Sequence, residues 1–342
     1  MISRVYLSFP LASLFLLAGL ASATVGGSAF ELHFSQLSDV LLSYMPQYFG
    51  SQNLNSDLGA QLIATVRLPR VLIAAGAGAA LAIAGALMQG LTRNPLASPA
   101  LFGINAGAAC MMVLAQTGVL PLLSELPLII STALGAALAG ILVLALGGGL
   151  SGRLHPTRMV LAGVALSALL LALTRALLIL DEQSQGVLSW LAGSLTDTGW
   201  DHWQQLWPWL LSGGLLAMLL SQKLNLLALG DEISTGLGAP ALQIRLWASL
   251  AVIMLTASCV AITGPIAFVG LLIPHLGRNI VGHDYRILLP FCGLLGAGLL
   301  SWADLISRYM AFPSETPVGL VTALLGAPCF IWLASCRREH SR

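Results

Sequence analysis

Residues able to do chemistry are sparse in this 342-residue chain, and their spacing excludes most chemistries. The five cysteines, Cys110, Cys259, Cys292, Cys329 and Cys336, form no C-x-x-C pair and sit in apolar runs or near the C-terminus. That argues against a zinc site or a disulfide framework. The six histidines are scattered, and the one lysine, Lys223, stands in Gln222-Lys223-Leu224. No Gly-Lys-Ser/Thr loop for nucleotide phosphates is present. Ser194 and His275 could be imagined as the nucleophile and base of an intramembrane protease, but the spans assigned below put them near opposite membrane faces. The densest polar stretch is LALGDEISTGLGAPALQ, residues 227–243, an acidic loop punctuated by glycine between two long apolar runs.

The elements that must position these residues are membrane helices. Hydrophobic residues make up 57% of the chain and charged residues 8%, so 15 basic and 14 acidic side chains could not cover a soluble domain of this size. The net charge of +1 gives no sign of a nucleic-acid partner. Ten apolar runs approach the length needed to cross a bilayer: about 6–25, 71–91, 101–120, 126–146, 159–180, 206–221, 244–262, 265–281, 287–309 and 316–335. The eighth is short, carries Pro274 and His275, and reads as a broken or tilted element. Residues 1–23 resemble a secretory signal with a small-residue cleavage site, but the apolar spans that follow favour an uncleaved first helix. The chain reads as one transmembrane domain, 1–342, without a clear internal repeat.

Ten spans place both termini on one side. With the termini inside, the inner segments hold eleven basic residues and the outer side four, Arg67, Arg70, Arg175 and Arg308, so the termini are expected to be cytoplasmic. Two long segments, 26–70 and 181–205, then face outward. Trp190, Trp200, Trp203, Trp207 and Trp209 cluster at the second, as belt anchors would. Residues 74–86, AAGAGAALAIAGA, are Gly or Ala except Leu81 and Ile83. Pairs such as Gly78 and Ala82 let backbones approach closely in lipid, so this helix is expected at the centre of the bundle. The charges within spans, Arg175, Asp181, Asp304 and Arg308, lie near the ends, which disfavours ion coupling at the midplane. What remains is a passive pathway driven from outside, which needs a cytoplasmic surface where a motor can push.

Several stretches recur as an ordered set. Arg67-Leu68-Pro69-Arg70 precedes the small-residue helix and Gln89-Gly90-Leu91-Thr92-Arg93-Asn94-Pro95-Leu96-Ala97 ends it. Then come Leu161-Ala162-Gly163-Val164-Ala165-Leu166, Trp190-Leu191-Ala192-Gly193-Ser194 and Gly264-Pro265-Ile266-Ala267-Phe268-Val269-Gly270-Leu271 with Pro274-His275. Ala303-Asp304, Pro317-Val318-Gly319 and Gly326-Ala327-Pro328 complete it. Over about residues 60–335 this set resembles the FecCD family, the permease subunits of bacterial ATP-driven importers for iron-siderophores, haem and vitamin B12.

The resemblance implies an all-α bundle of about ten transmembrane helices, of the type II importer kind, in the bacterial inner membrane. It implies a second permease, identical or related, two cytoplasmic ATPases that hold the ATP and magnesium, and a periplasmic binding protein. No cofactor, metal or catalytic residue is implied on this chain. Arg67, Arg70 and Arg308 are implied to meet glutamates of the binding protein. Leu229, Gly230, Asp231, Glu232, Leu237 and Gly238, within a coupling loop at about 222–243, are implied to enter a groove on the ATPase. Ser234 departs from the alanine usual there, which puts the fine packing of that contact in question. Thr157 and Arg158 resemble an inner gate, with residues 161–178 lining the path. The Arg93-Asn94-Pro95-Leu96 turn suits a structural role: Asn94 can close a side-chain turn and Pro95 can end the incoming helix. Ser98–Ala109, Leu173-Thr174-Arg175 and Ala311-Phe312-Pro313 look most like ferric dicitrate permeases, with haem or cobalamin import as the alternative.

Overall fold

Small residues and broken helices determine how this bundle packs. The computed structural model describes residues 2–26, 37, 58–119, 125–149, 154–180, 190–311 and 314–339. Most of the first outer segment, with Glu31, Asp39 and Asp57, lies outside the described residues, as do Arg153, Asp181, Phe312, Pro313 and Arg342. The described helices are α1 (Ile2–Val25), α2 (Leu58–Thr92), α3 (Ile104–Gln116), α4 (Leu128–Leu144) and α5 (Pro156–Leu180). After them come α6 (Trp200–Ala228), the short α7 (Asp231–Gly236), α8 (Ala241–Thr263), α9 (Val269–Val281), α10 (Tyr285–Met310) and α11 (Val318–Glu339). Each of the ten expected spans coincides with a helix, and no strand occurs among the described residues. Seven are long and apolar enough to cross a membrane, while α3 and Val318–Cys329 are shorter apolar helices.

Helix α2 is the hub. It packs against α6, α8, α9 and α10, and 78% of its most apolar window is buried. The reason is the absence of side chains at two crossings. A Cβ on Gly78 would sit 2.2 Å from the carbonyl oxygen of Gly296, and one on Gly85 would sit 1.9 Å from that of Gly270. Backbone therefore meets backbone, as close packing in lipid requires.

Helix α2 also starts earlier than its hydropathy suggests. Residues Ile63–Arg67 form a π turn, in which the Leu68 amide donates to the Ile63 carbonyl. The next carbonyl, Ala64, would need the amide of residue 69, but Pro69 has none. The Trp200 indole N–H supplies the missing bond at 2.9 Å. Trp200 thus has a specific partner, whereas Trp207 and Trp209 are exposed on α6 as belt residues would be.

The eighth expected span is a broken element. Before α9, residues 264–268 are not helical, and Gly264 and Phe268 have φ of 68° and 66°. Phe268 is held there by packing: a Cβ on Gly326 would meet its Cβ at 2.3 Å. Non-helical backbone is tolerated in a membrane bundle where it lines a cavity, and this break lines one of about 220 Å³ shared with Ser98, Pro99 and Thr256.

The Gly85 contact makes a direct prediction. Gly85→Ala should destabilise the chain by about 1–3 kcal/mol through overpacking against backbone. Gly214→Ala, at a helical glycine with open space around it, should cost nothing. Thermal unfolding of both variants in nanodiscs measures the difference, and equal melting would refute the hub assignment.

Candidate functional site

The two ends of α2 carry the two polar stations of the molecule. At its N-terminal end lies a buried ion-pair cluster. The Arg70 guanidinium donates through Nε at 2.9 Å and approaches through Nη2 at 2.8 Å to Asp304 Oδ1. Its Nη1 donates at 2.8 Å to Glu315 Oε2. Arg308 Nη2 donates to the other carboxylate oxygen of Asp304 at 2.7 Å and to the Ala23 carbonyl at 2.8 Å. Asp304, Arg308 and Arg70 are 0%, 2% and 5% exposed. Burying these charges is costly unless each donor finds an acceptor, and here one carboxylate with backbone carbonyls serves two guanidinia. Arg67 and Arg308 both donate to the Gly26 carbonyl just beyond α1. Cations at that C-terminus match the helix dipole.

The structure therefore brings Arg67, Arg70 and Arg308 together, but it turns Arg70 and Arg308 inward, onto Asp304. Sequence reading quoted Asp304 within a motif and gave it no role. The signal was an acid four residues before an arginine inside an apolar run. Glu315, beside Thr196 at 3.3 Å, was not singled out.

At the opposite end of α2, Arg93 has φ 50° and ends the helix. Its Nη2 donates to the Leu227 carbonyl at 2.7 Å and to Asp231 Oδ1 at 2.5 Å. Arg245 Nη2 donates to the same oxygen at 3.0 Å, and its Nη1 donates to the Leu154 carbonyl at 2.9 Å. The Leu96 amide donates to Asn94 Oδ1 at 2.9 Å, which closes the expected side-chain turn. Two arginines on different helices thus hold one carboxylate in the first turn of α7.

Helix α7 stands out from the bundle. Gly230 and Gly238 flank it with φ of 127° and 80°, a conformation that favours glycine. Asp231 and Glu232 occupy its first turn, where the dipole favours acids. Leu229, Ile233 and Leu237 are 59%, 53% and 61% exposed. Leu229 precedes the turn, Ile233 lies within it and Leu237 follows it, and together they make an exposed apolar ridge. Sequence reading named Leu229 and Leu237 but missed Ile233, whose signal was an apolar side chain within an otherwise polar stretch. Ser234 faces the other way: it is fully buried, and its hydroxyl donates to the Ala239 carbonyl at 2.5 Å. The serine closes the loop from inside, so its departure from alanine does not alter the exposed ridge.

Beside α7, Asp284 caps α10. Its carboxylate accepts from the Arg286 amide at 3.0 Å and from Asn225 Nδ2 at 2.6 Å. These two bonds, the amide first, hold its carboxyl below the ordinary value. The cap's contribution is therefore present above the ordinary carboxylate range and lost as pH falls through the depressed value.

Thr157 and Arg158 are both exposed in the first turn of α5. Ser194 and His275 are not brought together. The Ser194 hydroxyl lies 2.8 Å from that of Thr196, and the two residues line different cavities.

Hydrophobic helices around a glycine-rich hub, with an exposed apolar turn at one end, define a polytopic membrane protein. The sequence matches the FecCD transport family over residues 14–335, and the chain belongs to that family. It is 44% identical over 273 residues to the Fe(3+)-citrate import system permease protein YfmD of Bacillus subtilis (strain 168), covering 80% of this chain and 81% of that one. It is 42% identical over 277 residues to the Fe(3+) dicitrate transport system permease protein FecC of Escherichia coli (strain K12), covering 81% and 83%. Its fold matches a solved metal-chelate type ABC transporter in an inward-facing conformation with a TM-score of 0.81 at 29% identity, over 96% of this chain and 99% of that one.

Asp304→Asn should destabilise the chain by about 3–5 kcal/mol, because buried Arg308 loses its countercharge and Arg70 keeps only the partly exposed Glu315. Glu315→Gln, at a side chain 34% exposed, should cost less than about 1 kcal/mol. Unfolding midpoints in nanodiscs would show the contrast, and equal shifts would remove Asp304 from its central place.

Proposed function

We propose that this chain is the permease subunit of an ATP-driven importer that carries a ferric chelate, ferric dicitrate, from periplasm to cytoplasm across the bacterial inner membrane. The observation that carries this reading is α7: an exposed Leu229–Ile233–Leu237 ridge beside Asp231 and Glu232, braced by Arg93 and Arg245. Such a ridge is what a separate ATPase, holding its own ATP and magnesium, needs in order to push on α2 and α8. The citrate and dicitrate systems of the relatives support the substrate. Haem or cobalamin import by the same architecture is the alternative.

Two further partners follow from the surface. Helix α5 has only 11% of its apolar window buried, and Leu161, Val164 and Leu169 project from it. A second permease, identical or related, packs there, and the path runs between the copies past Thr157 and Arg158. At the far end, Arg67, Arg70 and Arg308 face Asp304 and Glu315, three cations to two anions. That excess favours a carboxylate-bearing binding protein, drawn by charge complementarity. Arg67 is the arginine best placed to meet it, since it is partly exposed while Arg70 and Arg308 are buried against Asp304.

Reconstitution of the chain with its ATPase, partner permease and binding protein in proteoliposomes tests the reading. Uptake of ferric dicitrate should require ATP. Ile233→Asp with Leu237→Asp should weaken ATPase association by roughly thirtyfold or more, and Arg67→Glu should weaken binding-protein docking most at low salt. Uptake on an ion gradient without the ATPase would overturn the importer assignment, and uptake of haem or cobalamin in place of the citrate chelate would overturn the substrate.

A further inference from the structure

A cavity of about 250 Å³ opens at the α7 end of the bundle, between the C-terminal end of α2 and the turn joining α9 to α10. Arg93, Arg278, His275, His283, Asn279 and Gln89 line it, and no carboxylate among the described residues does. Arg278 is half-buried and donates to the side-chain oxygen of Gln89. The amide nitrogen of Gln89 lies 3.4 and 3.3 Å from the Gly270 and Leu271 carbonyls, which aims its oxygen at the guanidinium. Among the described residues Arg278 enters no ion pair, whereas Arg70, Arg93, Arg245 and Arg308 all do. Asp231 is already shared by Arg93 and Arg245. Asp284, the nearest acid along the chain, is turned to Asn225 and the Arg286 amide.

A guanidinium whose hydrogen-bond partners, Gln89 and Tyr285, are both neutral, opening on a cavity with a second arginine and two imidazoles, is an electrostatic arrangement short of an anion. We propose that this cavity binds a phosphate group, either free phosphate or the headgroup of an anionic lipid. The planar guanidinium fork suits phosphate oxygens, and Asn279 and His283 can donate to those that remain. The volume lies below that of pockets for drug-sized ligands, which selects a small group. Basic pockets between helices near a membrane surface hold lipid phosphates for the same reason. Occupancy ties the C-terminal end of α2, through Gln89 and Arg93, to Arg278 on α9, directly beside α7. This assignment does not depend on which chelate the chain carries.

The test uses the full chain purified in neutral detergent, titrated with inorganic phosphate while thermal unfolding is followed. In parallel, native mass spectrometry counts phosphatidic acid retained from nanodiscs of phosphatidylcholine with and without that lipid. We expect one saturable phosphate or one retained phosphatidic acid. Affinity should fall roughly tenfold or more in Arg278→Gln, fall several-fold in His283→Ala, and stay unchanged in His202→Ala, which removes an imidazole that lines a different cavity. Binding of inorganic phosphate assigns the soluble source, and retention of phosphatidic acid alone assigns the headgroup. No saturable binding of either probe, or an equal loss in His202→Ala, overturns the proposal. If Arg278→Gln does not fold, unchanged binding in both His283→Ala and Asn279→Ala overturns it.

Discussion

Bare backbone against bare backbone, at Gly78 with Gly296 and at Gly85 with Gly270, is the contact on which the rest of the molecule depends. Lipid offers no hydrophobic drive between helices, so close approach and dispersion must hold α2 in place. Once α2 is seated, its ends are located too. Arg70 and Arg93 are 23 positions apart on one helix, a rise of about 34 Å. The two polar stations are therefore the two ends of a single rigid rod.

The stations differ in the physics that holds them. Around Asp304 the charges are buried, so the pairing is all or nothing: complete, it orders α1, α2 and α10; broken, it leaves charge stranded in a low-dielectric interior. Around Asp231 the pairing with Arg93 is more than two-fifths exposed on both sides and worth little by itself. That contrast makes one end of the molecule a fixed frame and leaves the other adjustable. The glycines flanking α7 and the internal bond from Ser234 keep its shape, while the arginines set its position.

Cavities follow the breaks in the helices. The interruption at 264–268 and the left-handed Arg93 both release backbone from helical bonding, and side chains or open space take up what is released. At the π turn of α2, the same need is met by one indole from α6. These irregularities are where neighbouring helices acquire polar reasons to touch, in a chain whose surfaces are otherwise apolar.

Much of this was legible without coordinates. Run lengths of apolar residues placed ten helices, the Gly and Ala content of 74–86 identified the hub, and Gly230 and Gly238 around two acids outlined α7. These follow from local rules, because length, backbone freedom and dipole direction are properties of a segment. What faces what is not. Asp304 as the joint partner of Arg70 and Arg308, Trp200 as the donor to Ala64, the inward turn of Ser234 and the anion-poor surroundings of Arg278 each join residues far apart in sequence or depend on rotation about a helix axis. Only the packed tertiary structure decides them, since a charge or an orphaned carbonyl is satisfied by whatever group the neighbouring helices bring within reach.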